Sequence, residues 1–304
     1  MNEWILQTDR LTKKLGGKAV VSDVDVRIER GDIYGFLGPN GAGKTTTIRM
    51  LLGLAKPTQG NIRIFGKDLR KERMAILRKV GSLVEYPSYY GHLNAWENLE
   101  VVRRLLDVPR ARIGEVLDIV RLTAEAKRPV KGFSLGMKQR LGIATALLGQ
   151  PELLILDEPT NGLDPAGILE IRELIKSLPK EQGVTVLVSS HLLSEIEQMA
   201  TRVGIITKGR MIFQDSIRAL QEKAQTKIRL RVSDPETAWK LLLAGGYEAD
   251  WNRSELTVSS DTDETIADMV ARLVRNDFDV YRVEQEEASL ERIFLEMTGG
   301  EGSL

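Results

Sequence analysis

The stretch Gly38-Pro39-Asn40-Gly41-Ala42-Gly43-Lys44-Thr45-Thr46 constrains this 304-residue chain more than any other. It fits the pattern G-x-x-x-x-G-K-[ST], and its flanks give the pattern mechanical meaning. The apolar run Ile33–Leu37 before it reads as a buried strand. The run from Thr45 to Leu54 after it reads as a helix, with Ile48, Leu51 and Leu52 on one face. Glycines let the backbone curl so that successive N–H groups converge on an anion, and the helix N-terminus adds partial positive charge. Lys44 is placed to reach the β- and γ-phosphates of a nucleoside triphosphate, and the Thr45 hydroxyl to ligate Mg²⁺. An ordinary glycine-rich turn is the alternative, and strand and helix in register count against it.

A second chemical feature lies about 110 residues further on. Leu153-Leu154-Ile155-Leu156 is an apolar strand ending in Asp157-Glu158. Burying that strand brings both carboxylates to the carboxyl edge of a sheet, beside the phosphate loop. Asp157 suits an outer Mg²⁺ ligand, and Glu158 suits a base or water-orienting group. Upstream, Ser134 caps a helix whose next turn holds Gly136, forming a second N-terminus open to an anion. One triphosphate does not need two such sites. From that segment alone, a plain helix cap is the simpler reading.

Strand and helix patterns alternate on both sides of a helical block running from about residue 88 to 150. Within the block, Asn94 opens one helix, Ile113–Val120 forms another, and Ser134 opens a third. Strands are expected at Glu3–Thr8, Ser22–Glu29, Asn61–Phe65, Val80–Val84, Val184–Val188 and Val203–Thr207, with helices at Ala166–Leu178, Leu192–Ala200 and 215–224. Past residue 226 the order is strand, helix, strand, helix, strand, with a further strand near Tyr247–Trp251 and Ser233 as a helix cap, which suggests a small ferredoxin-like α+β domain. A closing helix is expected at Ser289–Met297. Residues 1–220 and 226–304 thus read as two domains.

Lys+Arg and Asp+Glu each number 43, so nothing in the net charge attracts nucleic acid. The absence of cysteine excludes disulfides, thiol catalysis and zinc-thiolate sites. No apolar run approaches the length of a membrane span, and the N-terminus lacks the features of an export signal.

Together the motifs resemble the nucleotide-binding subunit of ABC transporters. The resemblance covers residues 1 to about 218 and implies a P-loop NTPase fold: a RecA-like α/β core, an N-terminal antiparallel β subdomain and an inserted helical subdomain. Phe133-Ser134-Leu135-Gly136-Met137-Lys138-Gln139-Arg140 is similar to the family's LSGGQ signature, retaining Ser134, Gly136, Gln139 and Arg140 and differing at Leu135 and Met137. Asn161-Gly162-Leu163-Asp164 resembles the dimer-contacting D-loop, and His191 matches the switch histidine that contacts the γ-phosphate. His92 matches nothing and is expected on a surface or loop.

What the resemblance implies is a head-to-tail dimer in which each ATP lies between one subunit's phosphate loop and the other's signature. That gives the anion site at Ser134 and Gly136 a purpose. It also implies separate membrane-spanning partners and a place on the inner face of the membrane. Two departures stand out. Glu85 occupies the usual Q-loop glutamine position, as in exporters of peptide antibiotics such as lantibiotics and bacitracin. Leu15, with Val20, replaces the aromatic residue that stacks on adenine, so weak discrimination between ATP and GTP is expected. The alternatives are a soluble ABC ATPase without a transport role and a regulatory module without turnover. Soluble remodelling ATPases usually carry two nucleotide-binding domains or a long coiled-coil insertion, neither of which is evident here, and Glu158 and His191 argue for turnover.

Overall fold

The computed structural model describes residues 4–84, 88–222, 227–252, 255–259, 262–286 and 294. The chain divides into two compact units, one built on Met1–Ile217 and the other on Arg218–Gly300.

The first unit opens with β1 (Trp4–Leu15) and β2 (Lys18–Val24), an antiparallel hairpin. Its turn is Gly16-Gly17 with φ of 53° and 83°, the left-handed pair that a two-residue hairpin turn demands. After β3 (Arg27–Glu29) come β4 (Ile33–Leu37) and α1 (Lys44–Leu51), then β5 (Gln59–Ile64), β6 (Lys67–Asp68), α2 (Arg73–Leu77) and β7 (Val80–Leu83). The helical block contains α3 (Ala95–Leu106), α4 (Ala111–Ile119) and α5 (Leu135–Leu147). Alternation resumes with β8 (Leu153–Asp157), α6 (Pro165–Gln182), β9 (Thr185–Ser190), α7 (Leu193–Met199), β10 (Arg202–Thr207) and β11 (Arg210–Ser216), and α8 (Ile217–Glu222) follows.

Two sheets result. One is antiparallel, in the order β2-β1-β5-β6 with β3 also on β1. The other runs β11-β10-β4-β9-β8-β7, parallel except for β11. Every residue of β4, β8 and β9 is buried, which is why these strands read as unbroken apolar runs. Chain order jumps at β4, which lies between β9 and β10, and such a switch opens a crevice at the carboxyl ends of the strands. Register aligns those ends: Leu37 pairs with Ser190, and Asp157 with Ser189.

Local chemistry fixes the helix starts. Asn94 and Glu97 form a reciprocal capping box at α3. Ser134 Oγ accepts the Met137 N–H at 3.2 Å, and Asp164 Oδ1 accepts that of Gly167 at 3.2 Å, opening α5 and α6.

The second unit runs β12 (Lys227–Val232), α9 (Pro235–Ala244), β13 (Ala249–Trp251), β14 (Leu256–Ser259), α10 (Asp263–Arg275) and β15 (Val280–Glu286). Its antiparallel sheet has the order β13-β14-β12-β15, a ferredoxin-like β-α-β-β-α-β sandwich. Ile228, Leu230, Leu256 and Val258 from the sheet close on Ala238, Leu242, Met269 and Leu273 from the helices.

Several boundaries differ from the sequence expectations. The helix after the phosphate loop ends at Leu51, because Gly53 takes the left-handed conformation (φ 65°) two residues later. The strand expected over 22–29 is two strands parted at Asp25-Val26, and β1 continues through Leu15. The helix expected over 215–224 gives way at its start to β11, which hairpins with β10 around Lys208-Gly209. Asp234, not Ser233, caps α9, while Ser233 Oγ accepts the Asp279 N–H. The helix expected over Ser289–Met297 lies outside the described residues, apart from the buried Phe294.

Candidate nucleotide site

Beyond Leu37 the backbone turns at Gly38, whose N–H points to the Ser190 carbonyl at 3.4 Å. A Cβ there would stand 2.2 Å from the Ile206 carbonyl oxygen, so only glycine lets the loop run against β10. Gly43, with φ of 107°, is confined in the same way by the Val20 carbonyl, which would be 2.8 Å from an added Cβ. That contact sets β2 beside the loop. No side chain caps the start of α1 and no acidic residue sits in its first turn, so its N–H groups remain available to an anion. Pro39, Asn40 and Gly41 form the rim, while Ala42 is buried.

Lys44 projects back into the loop with only 5% exposure. Its ammonium donates to the Gly38 carbonyl at 2.7 Å and stands 3.2 Å from Glu158 Oε1. The other oxygen of Glu158, Oε2, is 3.3 Å from His191 Nδ1, which lacks hydrogen-bond alignment there. The structure therefore gathers Lys44, Glu158 and His191 at the carboxyl ends of the core strands. Thr45 and Thr46 are half-buried at the first turn of α1, and the Thr45 hydroxyl makes no hydrogen bond to another described residue.

Ser189 on β9 ties the acidic pair together. Its hydroxyl donates to Asp157 Oδ1 at 2.6 Å and accepts the Glu158 N–H at 2.9 Å. Glu158 holds φ of 48°, a left-handed conformation that costs a non-glycine residue about 1–2 kcal/mol. The bond from its N–H helps to hold that turn. Sequence reasoning missed Ser189, although a pair of serines ending an apolar strand was the available signal.

The other expected residues lie where their elements place them. Ser134 is exposed and Gly136 half-buried at the start of α5, whereas Gln139 is 4% exposed, turned inward, with its Oε1 lacking a partner. A Cβ on Gly136 would stand 4.0 Å from Leu163, so the signature segment abuts the loop ending at Asp164. Asp164 itself is exposed and spends one oxygen on capping α6. Leu15 is 54% exposed at the hairpin tip, and Val20 is half-buried. Glu85 lies outside the described residues. Tyr89, four residues later, donates to the Lys138 carbonyl of α5 at 2.7 Å, and burial pushes its phenol pKa up, so it stays a donor. His92 is exposed, edge-on to Tyr90.

The family model described as "ABC transporter" matches residues 21–161. The bacitracin transport ATP-binding protein BcrA of Bacillus licheniformis is 45% identical, covering 97% of this chain and 98% of its own length. The chain belongs to the ATP-binding subunits of ABC transporters. This ABC ATPase also resembles the lantibiotic transport ATP-binding protein SrtF of Streptococcus pyogenes, at 46% identity over 69% of this chain and 90% of SrtF. Among solved structures, the dimeric post-hydrolysis state of the ATP-binding cassette MJ0796, bound to ADP and Pi, superposes with a TM-score of 0.62. It shares 26% identity and covers 70% of this chain and 99% of that one. The ABC ATPase binds and hydrolyses ATP as part of a transporter. Among its described residues no helix is long and apolar enough to cross a membrane.

Proposed function

We propose that this ABC ATPase powers export of a peptide antibiotic of the bacitracin or lantibiotic type through separate membrane subunits, acting at the inner membrane face as a dimer of two copies. The observation that carries the catalytic part is the cluster of Lys44, Glu158 and His191, at 3.2 and 3.3 Å, beside the glycine-rich loop. Similarity to BcrA over nearly the full chain supports the cargo class, and Glu85 in place of the usual glutamine agrees with it.

The loop N–H groups from Gly38 to Thr46 cradle the β- and γ-phosphates, with Lys44 adding its charge. The donor set suits Mg²⁺: an uncommitted Thr45 hydroxyl and the Asp157 carboxylate, to which the hydrogen-bond network supplies one donor, Ser189. Bound there, Mg²⁺ neutralises charge on the phosphates. Glu158 takes a proton from water as its oxygen attacks the γ-phosphorus. The bond from that phosphorus to the β–γ bridging oxygen breaks, giving ADP and phosphate. His191 contacts the γ-phosphate, whereas the Glu85 carboxylate, which would repel that phosphate directly, would act as a further Mg²⁺ ligand. Leu15 and Val20 provide apolar contact to the base, which weakens the preference for ATP over GTP.

Ser134 and Gly136, supported by Gln139, close the site of the opposite subunit, and Asp164 meets that subunit across the dimer. MJ0796, captured as a dimer with ADP and Pi, supports this arrangement. Residues 1–220 are the ATPase domain, with a helical insertion over about 88–150, and residues 226–304 form an accessory domain.

Phosphate release by the full chain tests the assignment. Glu158→Gln is expected to keep ATP affinity and lose roughly 100-fold or more in turnover. A normal rate refutes the assignment of the base. For the cargo, cells carrying the chain with its co-purifying membrane protein should tolerate more bacitracin or lantibiotic, and Glu158→Gln should abolish the gain. No gain with the wild type refutes the cargo class.

A further inference from the structure

Behind Glu158 and His191 lies another carboxylate, Glu195, near the start of α7 and 7% exposed. Its Oε2 accepts two hydrogen bonds, from Thr160 Oγ1 at 2.7 Å and from Ser190 Oγ at 2.8 Å. Ser190 Oγ in turn accepts the Leu192 N–H at 3.0 Å. Thr160 and Ser190 are themselves 4% and 2% exposed. Among the described residues no cationic side chain pairs with Glu195, so the two hydroxyls carry much of the work of compensating a buried carboxylate.

The two donors come from different segments. Thr160 belongs to the loop that leaves Glu158 and ends at Asp164, and Ser190 immediately precedes His191. Together with Glu158 and His191 they line a cleft of about 170 Å³. The carboxylate's own position is fixed by packing. A Cβ on Gly35 would lie 2.3 Å from Ile196, so α7 is seated against β4 one residue beyond Glu195. Glu195 thus reaches from a helix docked on the core sheet to both segments that carry site residues.

We propose that Glu195 is a positioning residue for hydrolysis. It holds the loop Thr160–Asp164 and the segment Ser190–His191 as one body, so that the Glu158 carboxylate and the His191 imidazole keep their 3.3 Å spacing. It contacts neither phosphate nor attacking water. The inference rests on the reading of Glu158 as the base.

Convergence on a single oxygen dictates the test. A glutamine can offer one carbonyl oxygen to both hydroxyls, whereas alanine offers none. In the full chain, Glu195→Ala should lower kcat by roughly tenfold or more while KM and the ATP Kd stay within about threefold of wild type. Glu195→Gln should recover kcat to within about threefold. Thr160→Val should be intermediate, and Thr160→Val combined with Glu195→Ala no slower than Glu195→Ala alone, because Glu195→Ala already removes the Thr160 contact along with that of Ser190.

A merely structural role predicts lower melting temperature, weaker ATP binding and lower kcat together, without rescue by glutamine. The proposal is overturned if Glu195→Gln is as slow as Glu195→Ala. It is equally overturned if Glu195→Ala keeps kcat within about twofold. Should Glu195→Ala not fold, the cycle of Thr160→Val and Ser190→Ala decides: additive losses contradict the shared clamp, and non-additive ones support it. Glu158→Gln is measured alongside. If it turns over normally, the base assignment fails; if it is silent while Glu195→Ala is normal, only the role of Glu195 fails.

Discussion

Replacing Ser189 by alanine should damage catalysis far more than ATP binding, and the structure gives the size of both effects. The hydroxyl is fully buried on β9 and makes two bonds. Its 2.6 Å bond to Asp157 has a charged acceptor, a class worth about 1.5–3 kcal/mol. Its bond from the Glu158 N–H is a neutral one of about 1 kcal/mol. Removing both costs about 3 kcal/mol, which for a unit of this size lowers its melting temperature by roughly 6–12 °C.

The kinetic effect follows from Glu158, whose left-handed turn costs about as much as its N–H bond returns. Without that acceptor the turn relaxes, and a carboxylate displaced by about 1 Å loses roughly 100-fold in kcat. The loop from Gly38 to Thr46 keeps its own contacts, so the ATP Kd should move by less than about threefold. Thermal melting of the first unit, titration with ATP and steady-state phosphate release measure the three quantities. A variant that melts within about 1 °C of wild type, or keeps kcat within about twofold, refutes the reasoning.

Three further outcomes are expected. Gly38→Ala drives a Cβ to 2.2 Å from the Ile206 carbonyl, so the loop must shift; ATP affinity should fall by about tenfold or more, and unchanged affinity in calorimetry contradicts this. Leu15, exposed at the hairpin tip, has room for Leu15→Trp; stacking on the base should add about 1–3 kcal/mol to ATP binding, and no gain removes Leu15 from the base site. Glu152 is held below its ordinary pKa by hydrogen bonds from Lys79 and Arg30, at 2.7 and 2.9 Å. A depressed pKa means that the pair stabilises the fold above the ordinary carboxylate range and loses that effect as pH falls through the folded value. Glu152→Gln should therefore lower the melting temperature by about 1–3 °C at neutral pH and by progressively less below about pH 4. An effect that grows on acidification contradicts the sign.

Features written locally were legible in the sequence. The phosphate loop was readable because an apolar strand, glycines and Lys-Thr are contiguous. Glu158 was readable because it ends a strand buried on both faces. The ferredoxin-like unit followed from the order of its elements. What escaped was set across strands. Nothing near Ser189 in sequence says that it sits beside Asp157, because the register of β8 on β9 decides it. Glu195 looks like a helix-surface acid until α7 settles on β4 and turns it toward Thr160. The extension of β1 through Leu15 was hidden by its charged, exposed residues, and β11 by a Lys208-Gly209 turn that went unread as a hairpin signal. The signature-like segment says nothing of how deep Gln139 lies; its place on α5 buries it.

On the function proposed above, one copy holds only part of each hydrolytic site, and Ser134 of a second copy completes it. Light scattering on Glu158→Gln with ATP and Mg²⁺ tests this most directly, with Glu158→Gln/Ser134→Arg as its partner sample. The first should shift from 34.0 kDa to twice that mass. The second should bind ATP equally well through Lys44 and stay at the monomer mass. If Glu158→Gln remains monomeric with ATP bound, or if the Ser134 change leaves the dimer intact, the composite site is wrong.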